Sequence, residues 1–131
     1  MQCVIESGGL RLSGYLVRPE SSAPVPGLVL CHGFPAGPGG AATSGQTYPQ
    51  LADRLSADTG WAVLTFNFRG TGASEGDFSL AGWLDDLRAA IDHLLSTHGV
   101  SGVWLAGAGT GGSLALCEAG EDERVRGVAT L

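Results

Sequence analysis

Three short apolar runs, each closing on a loop and each parted from the next by helical periodicity, restrict this chain more than any other feature. They are Gly27-Leu28-Val29-Leu30-Cys31, the segment from Trp61 to Phe68, and Val103-Trp104-Leu105-Ala106. Runs that stay apolar without alternating mark strands covered on both faces. Between the first two, Tyr48, Leu51, Ala52 and Leu55 recur at three- and four-residue spacing and predict a helix closed by Gly60. Between the second and third, Leu80, Trp83, Leu84, Leu87, Ile91, Leu94 and Leu95 form one apolar stripe that stops at Gly99. After the third run a glycine-dense hinge, Gly107-Ala108-Gly109-Thr110-Gly111-Gly112, turns the chain into a helix reaching about Ala119. An acidic turn, Glu121-Asp122-Glu123, then leads to a last strand from Val125 to Leu131.

The start of the chain reads differently. Cys3 to Glu6 and Leu10 to Arg18 flank Ser7-Gly8-Gly9, and Leu10, Leu12 and Leu16 alternate with Arg11, Ser13 and Tyr15, the mark of a hairpin. Pro19 to Pro26 is a polar, proline-marked connection, and Phe34 to Gly45 is a loop of small residues and prolines. A hairpin followed by alternating strands and helices specifies the α/β class. The sheet is mixed and mostly parallel, with right-handed crossovers and helices on both faces. The expectation is one domain over residues 1–131, ending after about six strands.

Composition narrows the function classes. Seven basic against thirteen acidic residues give a net charge of -6, with no basic stripe, which argues against a nucleic-acid partner. Cys3, Cys31 and Cys117 are scattered and odd in number, and are expected to be free, buried thiols in a reducing compartment. Cysteine and histidine show no metal-ligand spacing, and no cofactor is implied. The first residues lack a charged leader with an apolar stretch, and no apolar run approaches the roughly 20 residues of a membrane helix. A cytoplasmic protein with no membrane partner is expected.

Chemistry is expected where loops leave the carboxyl ends of the buried strands, the edge at which open α/β sheets bind ligands. The first loop is His32-Gly33-Phe34-Pro35, the second Asn67-Phe68-Arg69-Gly70-Thr71-Gly72-Ala73-Ser74, and the third the hinge at residues 107–112. In this order and spacing they resemble the first half of the α/β-hydrolase superfamily, most closely bacterial serine hydrolases related to the S33 aminopeptidase and esterase groups. The hinge matches the G-x-S-x-G nucleophile elbow except that Gly109 stands where the serine would be. The resemblance implies an ester, amide or similar acyl substrate. It also implies an oxyanion hole made of the Phe34 and Thr110 N–H groups, supported by His32, Gly33, Arg69, Gly107 and Gly111. Two such donors stabilise developing negative charge, each by about 3 kcal/mol of barrier, and Thr110 opens a helix whose dipole favours an anion. Asn67 occupies a position that is aspartate in many relatives and lies outside the triad.

Gly109 carries neither oxygen nor sulfur, so no acyl-enzyme can form there. Family order places the acid and the histidine after later strands, beyond Leu131, so the expectation is a scaffold inactive as a serine hydrolase. Neighbouring residues are poor substitutes. Thr110 is rotated by about 100° from the elbow direction and Ser113 lies a further turn on. His93 and His98 should sit roughly 20 to 27 Å from the cleft on a helix rising 1.5 Å per residue. Asp85, Asp86 and Asp92 are expected on the solvent face of that helix. Two readings from other classes remain. A nucleotide-binding domain could use Gly107-x-Gly109-x-x-Gly112, although the motif comes late in the chain and Val128-Ala129-Thr130-Leu131 lacks the acidic residue such sites need. A non-catalytic module could hold a small acyl ester, amide or carboxylate ligand, with self-association through an exposed sheet edge.

Overall fold

A computed structural model describes residues 1–34 and 47–131. The predicted loop from Phe34 to Gly45 therefore lies, past Phe34, outside the described residues. Among the described residues, six strands and three helices follow in the order β1 (Gln2–Ser7), β2 (Leu10–Val17), β3 (Val25–Cys31), α1 (Tyr48–Thr59), β4 (Ala62–Phe66), α2 (Leu80–Leu95), β5 (Val100–Gly107), α3 (Thr110–Glu121) and β6 (Val125–Thr130). They build one six-stranded sheet in the order β1-β2-β4-β3-β5-β6. The β1–β2 and β2–β4 pairs are antiparallel, and β4–β3, β3–β5 and β5–β6 are parallel.

The two faces of the sheet are unequal. On one, α2 and α3 enclose the larger core, in which Trp83, Phe66, Phe68, Leu87, Ile91, Leu94 and Leu105 are buried. Each such side chain contributes about 1.5–3 kcal/mol by leaving water. On the other, among the described residues, α1 lays Ala52, Leu55 and Tyr48 over Leu30 and Val63. β3 sits between β4 and β5, so the chain crosses to one side of it after α1 and to the other after α2. The chain therefore turns to opposite sides after the adjacent parallel strands β3 and β5, the switch point at which open α/β sheets bind ligands.

Local chemistry sets the element ends. Pro49 occupies the first turn of α1 and Gly60 closes its last, its N–H donating to the Ser56 carbonyl at 2.9 Å. Ser79 caps α2 by accepting the Gly82 N–H at 2.9 Å. That helix stops at Leu95 rather than running to Gly99, because the Ser96 and Thr97 hydroxyls both donate to the His93 carbonyl, at 2.8 and 2.9 Å. The strand predicted to reach Phe68 ends at Phe66, since the Phe68 N–H donates instead to His32 Nε2 at 3.1 Å.

Two expectations are corrected. Asp86 is not on the solvent face of α2: it is fully buried beneath Arg69 and Ser7. Of the cysteines only Cys31 is buried, with burial pushing its thiol up to about 12; Cys3 is half-buried and Cys117 exposed. Among the described residues no helix is long and apolar enough to cross a membrane.

Candidate functional site at the carboxyl edge of the sheet

The hinge after β5 is shaped by backbones that nearly touch. A Cβ on Gly111 would lie 2.3 Å from the His32 carbonyl oxygen and 2.6 Å from that of Cys31. One on Gly107 would lie 2.6 Å from the backbone of Gly111 and Gly112. Real Cβ atoms do not approach so closely, so α3 can start against the end of β3 only with glycine at these positions. The Ala108 N–H donates to the Cys31 carbonyl at 3.2 Å, tying the hinge to the end of β3.

Gly109 is the apex of the hinge, with φ 56° and ψ -127°. An L side chain rarely adopts this conformation, which costs about 1–3 kcal/mol when a site enforces it. A Cβ built there meets nothing within 4 Å, so the apex projects into open space. The Gly109 carbonyl accepts the Ser113 N–H at 3.0 Å, and the Gly112 N–H donates to Ala108 at 3.4 Å. Thr110 and Gly111 therefore precede the helical ladder, where N–H groups and the helix dipole favour an anion. The Ser113 hydroxyl lies 3.4 Å from the Gly109 carbonyl, turned back onto its own helix rather than into the cleft.

The loop after β3 abuts this apex. A Cβ on Gly33 would stand 2.7 Å from the Ala108 carbonyl oxygen and 3.7 Å from the Gly109 Cα. Phe34 follows immediately, its ring about half exposed. His32 is buried, with Nδ1 against the Gly33 carbonyl at 2.8 Å and Nε2 accepting the Phe68 N–H. These contacts specify the neutral tautomer protonated on Nδ1, and burial lowers the pKa of the ring. Thr71 Oγ1 lies 3.2 Å from Nε2 and donates to the Phe68 carbonyl at 2.7 Å. One imidazole thus ties the first loop to the second.

Arg69 faces inward. Its backbone N–H donates to Asp86 Oδ2 at 2.8 Å and its Nη2 to Asp86 Oδ1 at 2.8 Å, while Ser7 Oγ donates to Asp86 Oδ1 at 2.7 Å. The Trp83 indole N–H donates to the Arg69 carbonyl at 3.0 Å. Hydrogen bonding to Asp86, and then the neighbouring negative charge, hold the Arg69 pKa above its ordinary value. The pair pins the second loop to β1 and α2 and leaves Arg69 committed to structure. Sequence reasoning missed Asp86: it lies three residues from Trp83 and four from Ala90, on the apolar stripe, but its partners are distant in sequence.

The structure thus brings Gly33, Phe34, Gly109 and Thr110 together at one edge, braced by His32, Arg69, Gly107 and Gly111. It leaves His93 and His98 apart from them, just before β5 enters the opposite edge; the His98 carbonyl there accepts Arg18 Nη1. Among the described residues, no three His, Cys, Asp or Glu side chains are grouped to hold a metal ion.

Known proteins share this frame. The sequence profile of the alpha/beta hydrolase fold matches residues 26–131. The quorum-quenching protein AidA of Acinetobacter baumannii (strain MDR-ZJ06) is 31% identical over 129 residues, covering 94% of this chain and 40% of that protein. An α/β hydrolase of unknown function from Agrobacterium tumefaciens superposes with a TM-score of 0.81 at 26% identity, covering 99% of this chain and 59% of the other. A lidless α/β serine hydrolase from Xanthomonas campestris gives 0.76 at 25% identity, with 99% and 59% covered. The chain spans well under half the length of its curated relative and just over half that of these two structures. The profile match spans most of the chain, and the chain belongs to the α/β hydrolase fold family.

Proposed function

We propose that the carboxyl edge of this sheet is the anion-stabilising half of an acyl-hydrolase site, and that with glycine at its apex the chain holds an acyl or carboxylate group without forming an acyl-enzyme. The family relationship supports the substrate class, since the lidless relative from Xanthomonas campestris is a serine hydrolase. The observation that carries the reading is Gly109. It keeps the strained backbone of a nucleophile elbow, in open space, yet presents no atom able to attack a carbonyl. The Phe34 and Thr110 N–H groups, on either side of the contact between Gly33 and Gly109, are the proposed donors to the substrate oxygen. Family membership and the use of Gly107 and Gly111 in backbone packing favour this reading over nucleotide binding.

The test uses short-chain p-nitrophenyl esters. The unmodified chain is expected to release no p-nitrophenol above the buffer rate and to gain no acyl mass in denaturing mass spectrometry. Turnover or a stable acyl adduct on the unmodified chain would overturn the reading. Gly109→Ser, run beside it, shows whether an installed hydroxyl is acylated at the apex.

A further inference from the structure

Two large apolar side chains stand exposed together next to Gly33: Phe34 at 54% and Phe78 at 49% relative exposure. Single exposed apolar residues are ordinary, but these are neighbours. The Phe34 and Phe78 ring centroids lie 4.9 Å apart, and both rings rest on buried Trp83, at 5.0 and 5.2 Å. Trp83 in turn stacks on Phe68 at 4.4 Å with the planes 8° apart, so the rings sit on a fixed floor.

The backbone beneath Phe78 is also held. A Cβ on Gly70 would come within 2.8 Å of the Phe78 nitrogen, and the Ser79 cap fixes the chain immediately after it. Phe34 is one residue past Gly33, and successive Cα atoms are about 3.8 Å apart. The aromatic surface therefore begins where the proposed oxyanion donors end. A rigid surface loses little conformational entropy when a ligand docks.

We propose that Phe34 and Phe78, on their Trp83 floor, form an aryl subsite, selecting acyl compounds with a ring a few bonds from the carbonyl. The inference rests on the acyl-site reading above. The ligand's carbonyl or carboxylate oxygen sits at the Phe34 and Thr110 N–H groups while its ring lies against the Phe34 and Phe78 faces. Offset or edge-on contact between rings adds to the gain from burying apolar area. The exposed Asp77 carboxylate and the net charge of -6 weigh against anions in general, so the ring must supply the selectivity.

Three probes separate the contributions: 3-phenylpropanoate, butanoate and 3-phenylpropan-1-ol. Binding is followed by amide chemical shifts of Phe34, Phe78 and Thr110 at about 150 mM salt, where the screening length is about 8 Å. The aryl acid is expected to bind about tenfold more tightly than butanoate, and Phe78→Ala to remove most of that preference. Phe78→Leu, which keeps apolar bulk without the ring, serves if the alanine variant does not fold. Equal affinity for the two acids overturns the aryl subsite and leaves the acyl-site reading standing. An alcohol that binds as tightly as the aryl acid overturns the acyl-site reading instead. No binding by any probe overturns both.

Discussion

Gly109 occupies a backbone state that favours glycine over every other residue, and the open space at its Cβ position confines the cost of replacement to the backbone. Gly109→Ser and Gly109→Ala are therefore expected to lose similar stability, about 1–3 kcal/mol by urea unfolding, because the φ strain is common to both. Gly111→Ala should be as costly or worse although its φ is ordinary, since its Cβ would enter the His32 carbonyl; about 2–3 kcal/mol is expected. His32 offers a test by titration. Burial lowers its folded-state pKa below the ordinary 6.5, so the folded state binds fewer protons than the unfolded chain. Its contribution to stability is whole above 6.5 and falls as pH drops toward the folded value. Nitrogen NMR should show a neutral ring with the proton on Nδ1 at pH 6.5, where the histidine of the unfolded chain is half charged.

At the scale of elements, two carboxylates on apolar helix faces join segments that would otherwise meet through hydrocarbon alone. Asp86 gathers Ser7 of β1, Arg69 of the second loop and its own α2. Removing one partner strands the other: Asp86→Ala or Arg69→Ala is expected to cost about 3–5 kcal/mol, measured by denaturant unfolding, and replacing both with apolar residues considerably less. Glu118 plays the same part for α3. It is buried and accepts Arg88 Nε at 2.9 Å, and its backbone carbonyl accepts the Asp122 N–H at 2.8 Å one turn on. Burial lifts Glu118 above its ordinary 4.5, while Arg124 pulls Asp122 down to about 2. The Asp122 contribution is present above 3.8 and lost on acidification toward 2; that of Glu118 is whole below 4.5 and lost as pH rises through its raised value. As pH rises from 4.5 through the raised Glu118 value, the melting temperature of Glu118→Gln should thus fall less than that of the unmodified chain. The apolar stripes located these helices without revealing either carboxylate, because a charge on such a stripe is informative only once its partners are known. Ser7, Arg69 and Arg88 are distant in sequence, and nothing local announces the pairings.

Across the whole molecule, strand type was the most legible property. Unbroken apolar runs at Gly27–Cys31 and Val103–Ala106 can be satisfied only by cover on both faces, and the structure supplies it, though unevenly. What stayed hidden is where cover is thin. Trp104 points to the α1 face and is 37% exposed, its ring 5.7 Å from Trp61 and packed on Gly127 of β6. Periodicity within one strand cannot show that the opposing layer stops short of it. β6 pairs with β5 alone among the described residues, so its outer N–H and C=O groups form an edge open to another chain. Sedimentation velocity over a concentration series is expected to show reversible self-association, weakened by Val128→Lys; a monomer at every concentration would remove the edge from consideration. The hinge has a consequence of another kind. The turn at Gly109 already has the backbone shape into which an elbow strains its central residue, and nothing stands within 4 Å of the Cβ position. Installing a hydroxyl at this apex therefore asks for one side chain and about 1–3 kcal/mol of backbone strain, with no neighbouring atom to move.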